Sequence, residues 1–185
     1  MNGRATALIV AFLVMAFPAQ ADEWRSKEGS RFGFETTFEG VAMPGEFATF
    51  AVAFSFDPAR PGDGCLRVTV DLAAADMGDP DMNAVLYEPA WFDTQQFAAA
   101  IFTSSEIVEL APGEFLAKGT LDLKGIREPV EVPFAWDRTG DVAVMTGELE
   151  LDRTRFDVGS GEWASGDAIG IEVKLSFRVQ LEPAD

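Results

Sequence analysis

The chain has 185 residues and a formal net charge of −17, with 31 acidic against 14 basic side chains, no histidine and one cysteine. Without histidine there is no Ser-His-Asp triad and no histidine-ligated metal, and one cysteine builds neither a disulfide framework nor a thiolate zinc cluster. The acid surplus argues against nucleic acid, whose phosphates call for Lys and Arg, while 48% hydrophobic and 24% charged residues make a globular composition of single-domain length.

The first stretch reads as a leader. Arg4 precedes an apolar run from Ala7 to Phe17, followed by Pro18 and Ala19-Gln20-Ala21. This is the three-part layout of a secretory signal peptide over residues 1–21, leaving a single domain over 22–185. The run is too short to cross a bilayer core; an uncleaved N-terminal anchor is the rival. Cleavage after Ala21 removes Arg4 and no acid, taking the net charge to −18. The reading is an exported, periplasmic, anionic protein with no stable membrane insertion once the leader is gone, and repelled by anionic lipid.

Beyond the leader the dominant period is two. Phe32, Phe34, Thr36 and Phe38 make a first strand. The segment Phe47 to Phe56 fits a helix or a strand, and Gly45 and Asp57-Pro58 bracket it at strand length. Leu66, Val68, Val70 and Leu72 follow, alternating with Arg67, Thr69 and Asp71. Ala73 to Ala98 breaks the pattern. There Asp79 or Asp81 caps a short helix carrying Met82, Ala84 and Leu86, and Pro89 starts another turn beside Trp91, Phe92 and Phe97. A longer and less regular strand runs from Ile101 to Leu110, and period two then returns from Phe115 to Leu123, from Val130 to Trp136, from Ala143 to Leu151 and from Ile169 to Leu181. Pro133 suggests an edge or a bulge.

Turn signals such as Pro112-Gly113, Lys124-Gly125 and Thr139-Gly140-Asp141 keep most connections short. Successive strands are then antiparallel neighbours. The predicted fold is all-β: an eight-stranded antiparallel barrel with short helices across one end. A two-sheet sandwich is the rival.

Several motifs in fixed order resemble the YceI family of periplasmic proteins. They are Phe47-x-x-Phe50 after Gly45, Phe56-Asp57-Pro58, Trp91-Phe92-Asp93 and Phe102-Thr103-Ser104. Gly119-Thr-Leu-Asp-Leu-Lys-Gly-Ile-Arg-Glu-Pro-Val130 and Leu151-Asp-Arg-Thr-Arg-Phe156 complete the set. The resemblance implies a lipocalin-like barrel holding a polyisoprenoid chain, such as an isoprenoid-quinone tail, with a carrier or stress-related role. Two positions depart from the family pattern. Asn83-Ala-Val-Leu86 stands where many members have Asp-x-His-Leu, and Phe97-Ala98 where many have an aromatic-Pro pair.

Dry-face parity nominates Phe34, Phe50, Phe54, Leu121, Phe134 and Trp136 as barrel lining, with Leu86, Trp91, Phe92 and Phe97 on the lid. Tyr87 and Arg153 are candidates for contact with a guest's polar head. No catalytic residue, metal site or cofactor is expected beyond a bound prenyl lipid or quinone, and a homodimer is left open. The acid pairs Asp79/Asp81 and Glu148/Glu150 read as a helix cap and a wet strand face, and Asp76, Asp79 and Asp81 as solvated acids rather than a calcium loop. Cys65 reads as a small buried side chain. The rival functions are a filled-barrel adaptor for a membrane redox protein and a carboxylate-based hydrolase or isomerase.

Overall fold

The structure is a computed structural model that describes residues 21–184. Apart from Ala21, the expected leader lies outside them. The chain runs β1 (Asp22–Ser26), β2 (Arg31–Phe38), β3 (Val41–Phe47), β4 (Phe50–Phe56), β5 (Cys65–Asp71) and β6 (Ala75–Asp76). Helix α1 (Pro80–Leu86) follows, then β7 (Ala99–Ala111), β8 (Glu114–Leu123), β9 (Ile126–Thr139), β10 (Val142–Asp152) and β11 (Glu172–Pro183).

Eight strands close the ring, in the order β1-β4-β5-β7-β8-β9-β10-β11 and back to β1, and every pairing in it is antiparallel. Closure removes the free edges that an open sheet would expose. The predicted barrel is therefore the observed one, and the Phe47–Phe56 segment is extended, as read, with a break between β3 and β4.

The barrel is not the same at its two ends. Along one edge β11 pairs with β1 only through Leu181–Pro183. Further back along the same strand, Lys174–Arg178 pair with β2, which carries β3 and then β6. A short strand thus fills the wall at one end and a hairpin replaces it at the other. Two strands further round the ring, the β9–β10 ladder covers Ala135–Thr139 but stops short of Pro133. The edge suggested by this proline is this seam. More strand at one place and a parted ladder at another widen the barrel toward one end.

Three strands escaped the pattern reading for physical reasons. β1 is five residues long with only Trp24 buried, and β6 is two residues long. β3 contains Pro44 and Gly45, both strand breakers. Pro44 is tolerated because the other neighbour of β3, β6, pairs only with Glu46 and Phe47. Gly45 is required: a Cβ there would lie 2.3 Å from the Phe34 ring. The β2–β3 hairpin turns on Glu39 (φ 48°) and Gly40 (φ 78°), the left-handed pair that a two-residue turn needs to match strand twist.

The narrow end is filled by aromatic rings. Phe54 stacks on Phe56 at 4.6 Å, Phe56 meets Trp136 edge-on at 5.0 Å and Phe115 at 5.1 Å, and Phe115 stacks on Phe134 at 5.5 Å. Trp24 closes the group against Trp136 at 5.4 Å and donates its indole N–H to the Phe56 carbonyl. Helix α1 begins as read: the Asp79 carboxylate accepts from the backbone N–H groups of Asp81 and Met82. The Pro89 region forms hydrogen-bonded turns rather than a second helix, with Trp91 N–H donating to the Glu88 carbonyl and Phe92 N–H to that of Leu86. Cys65 corrects the buried reading: it is exposed, because its neighbour Leu66 takes the inward side of β5.

Candidate functional site: an apolar hollow

Above the aromatic plug the barrel is hollow. The cavity measures about 370 Å³, inside the range of roughly 300–1,000 Å³ typical of small-molecule sites. Alternation puts one face of each strand inward, so the walls are built by parity. β4 contributes Phe50 and Val52, β5 contributes Leu66, Val68 and Val70, and β11 contributes Val173, Leu175, Phe177 and Val179. Leu121 and Leu123 of β8 face Leu149 and Leu151 of β10 around the same space.

The roof comes from the non-strand segments. On α1, Met82, Val85 and Leu86 share one helical face at i, i+3 and i+4, and all three border the hollow. Trp91 and Phe92 follow from the turn beyond. Leu86 and Phe92 are buried, whereas Met82 and Val85 reach the surface. Phe38, at the tip of the β2–β3 hairpin, borders the hollow and is exposed as well. The cavity therefore opens to solvent between this hairpin and α1.

Of the residues nominated from the sequence, Phe34, Phe50, Leu86, Trp91, Phe92 and Leu121 border the hollow. Phe54, Phe134 and Trp136 point into the barrel but stand in the plug, packed on one another at 5.6–5.8 Å. Phe97 packs against the outer rim, beside Gly125 in the β8–β9 turn. Parity had placed Phe54, Phe134 and Trp136 on the inner side without giving their height along the barrel axis, and Phe97 had been expected on the lid. Nearer the mouth, Phe32, Phe47 and Phe177 were missed as lining. Phe47 lies 4.9 Å from Phe34 and 5.3 Å from Phe32, and Phe32 lies 5.7 Å from Phe50. The signal that could have found Phe47 is its place in Phe47-x-x-Phe50.

The two head-contact candidates are both engaged within the protein. The Tyr87 hydroxyl donates to the Ala75 carbonyl at 3.3 Å, outside the hollow. Arg153 borders the hollow, but its five N–H bonds are all taken by backbone. Nε donates to the carbonyl of Gly170 at 2.8 Å, one terminal nitrogen to Val158 and Gly159, and the other to Trp163 and Ile169. The guanidinium also lies 5.6 Å from the Trp91 ring. Burial pushes its pKa down from the ordinary value while the Asp152 charge pulls it up. Arg153 is thus a clamp that gathers residues 158–170 into one wall of the mouth. The charges flanking it pair with other segments rather than with each other: Arg155 with Glu128 and Asp157 with Lys124. Arg153 itself is held by carbonyl dipoles.

The lining carries no Asp or Glu among the described residues. The pair Glu148/Glu150 lies on the outer face, where Glu148 meets Lys174 at 2.9 Å. Two facing carboxylates, which glycoside hydrolysis requires, are not brought together across this space. The arrangement is suited to sheltering an elongated apolar chain from water.

Comparison with known proteins agrees with this geometry. The YceI-like domain family matches residues 25–181. A UPF0312 protein of Shewanella baltica is 28% identical over 168 residues, covering 83% of this chain and 88% of its own. A second, from Vibrio parahaemolyticus, is 25% identical over 167 residues, covering 83% and 86%. Among solved structures, BcnA of Burkholderia cenocepacia superposes with a TM-score of 0.79 at 30% identity, covering 82% of this chain and 95% of that one. A polyisoprenoid binding domain from Saccharophagus degradans, implicated in plant cell wall breakdown, gives 0.71 at 17% identity over 89% and 99%. With the closed barrel, its hollow and these matches in hand, the chain belongs to the YceI-like domain family.

Proposed function

We propose that this protein is a non-enzymatic lipid-holding protein of the periplasm. It shelters the tail of a polyisoprenoid or isoprenoid quinone, as a carrier or in a stress response. The observation that carries this reading is the hollow itself: about 370 Å³ walled by Phe, Val, Leu and Met and open at one end. The polyisoprenoid binding domain of the same fold supports the choice of guest. The leader-like N-terminus and the acidic surface support export and solubility.

Magnitudes favour recognition of the tail. Each buried methylene contributes roughly 0.8 kcal/mol, so a few isoprene units reach about micromolar affinity after association costs. A neutral hydrogen bond contributes only about 1 kcal/mol, and both head-contact candidates are already engaged. The filled-barrel adaptor is disfavoured by the cavity, and carboxylate chemistry by the lining. Native mass spectrometry of protein purified from its host, before and after organic extraction, tests the proposal. The expected result is a co-purifying prenyl lipid and re-uptake of geranylgeraniol by the extracted protein. Protein that emerges empty and takes up no prenyl compound would overturn it.

A further inference from the structure

Large apolar side chains are exposed in two neighbouring groups at the cavity mouth. On the β2–β3 hairpin, Phe38 is 43% exposed and Val41 64%, and these two are direct cross-strand partners. Facing partners put their side chains on one face of the hairpin. On α1, Met82 is 40% exposed and Val85 39%. Phe38, Met82 and Val85 also line the hollow, so this collar is continuous with the cavity wall.

The charge carried by the two collar segments themselves is of one sign. No Lys or Arg occurs between Arg31 and Arg60, nor between Arg67 and Lys118, so both collar segments lack cations of their own. They carry Glu39 at the hairpin tip and Asp79 and Asp81 at the start of α1, all exposed. Glu46 and Asp76 lie directly opposite each other where β3 meets β6.

Size and charge together select the occupant. Four half-exposed side chains offer a few hundred Å² at most, against about 800 Å² per partner in a stable protein interface. A second copy would also bring an identical acidic rim against this one. A bilayer interface has no such area requirement, because a few apolar side chains entering the headgroup boundary give reversible attachment. Acidic flanks repel anionic headgroups and tolerate zwitterionic ones. We infer that the collar of Phe38, Val41, Met82 and Val85 docks the mouth onto zwitterionic phospholipid surfaces, so that an apolar guest passes between bilayer and hollow without crossing water. The inference rests on reading the hollow as a lipid site.

The test is flotation of the full mature chain with dioleoylphosphatidylcholine vesicles. Bound protein is expected, with partition falling about tenfold in Val41→Asp and in Met82→Gln from the loss of inserted apolar area. Replacing part of the lipid with phosphatidylglycerol is expected to weaken binding, and added salt to restore it. Leu110→Asp is the control. Leu110 is 59% exposed but stands at the plugged end, beside the turn where Gly113 accepts from the Trp136 backbone N–H. It is expected to leave partition within about twofold. Absence of binding to phosphatidylcholine, equal loss in Leu110→Asp, or a collar-dependent dimer in sedimentation would each overturn docking. Geranylgeraniol uptake from dilute ethanol separates the two readings. Val41 does not line the hollow, so Val41→Asp is expected to fill normally. Failed docking with normal filling removes this inference alone, whereas failed filling by the wild type removes the lipid reading beneath it.

Discussion

Phe50 and Phe54 project from the same face of β4, yet Phe50 borders the hollow while Phe54 is fully buried in the aromatic plug. Four residues along one strand separate a side chain that a guest would touch from one that holds the barrel shut.

This division sets the first expectation. Phe54→Ala removes a ring packed on Phe56, Phe134 and Trp136. It should destabilise the protein by about 3–5 kcal/mol, the cost of a large-to-small change in a tight core. Urea unfolding measures this. Prenyl uptake in the absence of denaturant should stay close to that of the wild type, since the ring does not border the cavity.

Filling the hollow should do the reverse. Ala100 is buried and lines the cavity wall from β7. In Ala100→Trp the new indole has space to enter, so the penalty should not exceed the about 1–3 kcal/mol typical of overpacking. Stoichiometric uptake of geranylgeraniol, followed by native mass spectrometry, should be lost. A variant that still binds one guest per chain would place the guest elsewhere.

Arg153→Met tests the clamp at the mouth. Five carbonyl acceptors lose their donor at once, and buried polar groups left unpaired cost about 1–3 kcal/mol each where water does not replace the bond. A loss of about 3 kcal/mol or more is expected, with hydrogen exchange rising over residues 158–170. Arg153→Lys should rescue little, because a single ammonium cannot reproduce a planar fork. Unchanged exchange in that segment would show that it is held by other contacts.

The pH response follows from carboxylates alone. Hydrogen bonds from the Thr154 hydroxyl and backbone hold Asp152 below the usual carboxylate range, and the Ala59 N–H and Arg60 do the same for Asp57. A folded-state pKa below the unfolded one adds stability that is present above the unfolded value, near 3.9, and is lost as pH falls through the folded value. With no histidine in the chain, no side chain has its ordinary pKa between about pH 5 and 8. Urea midpoints should therefore be flat across that window and fall in acid. Asp152→Asn should make the acid fall shallower.

Much of the barrel was legible because period two is a direct imprint of a wall with a wet side and a dry side. The β11 alternation from Val173 to Val179 reads straight into cavity lining. Depth was not legible. Phe34 and Phe134 look alike by parity, and only the register of β2 on β11 and of β9 on β8 sets one beside the hollow and the other in the plug. Arg153 was misread for a related reason. It was nominated as a contact for a guest's polar head, but its donors are taken by carbonyls up to seventeen positions away, brought round by the loop. Carbonyl acceptors leave no mark in side-chain chemistry.

The unequal ends of the barrel carry a consequence for how such a protein can change over time. Rings interlock at the sealed pole, while at the open pole a guest of the proposed kind would meet a mixed lining of aliphatic and aromatic side chains. Substitutions that retune cargo preference can accumulate at one pole without drawing on the stability held at the other, so a single scaffold can drift toward new hydrophobic passengers and remain folded throughout.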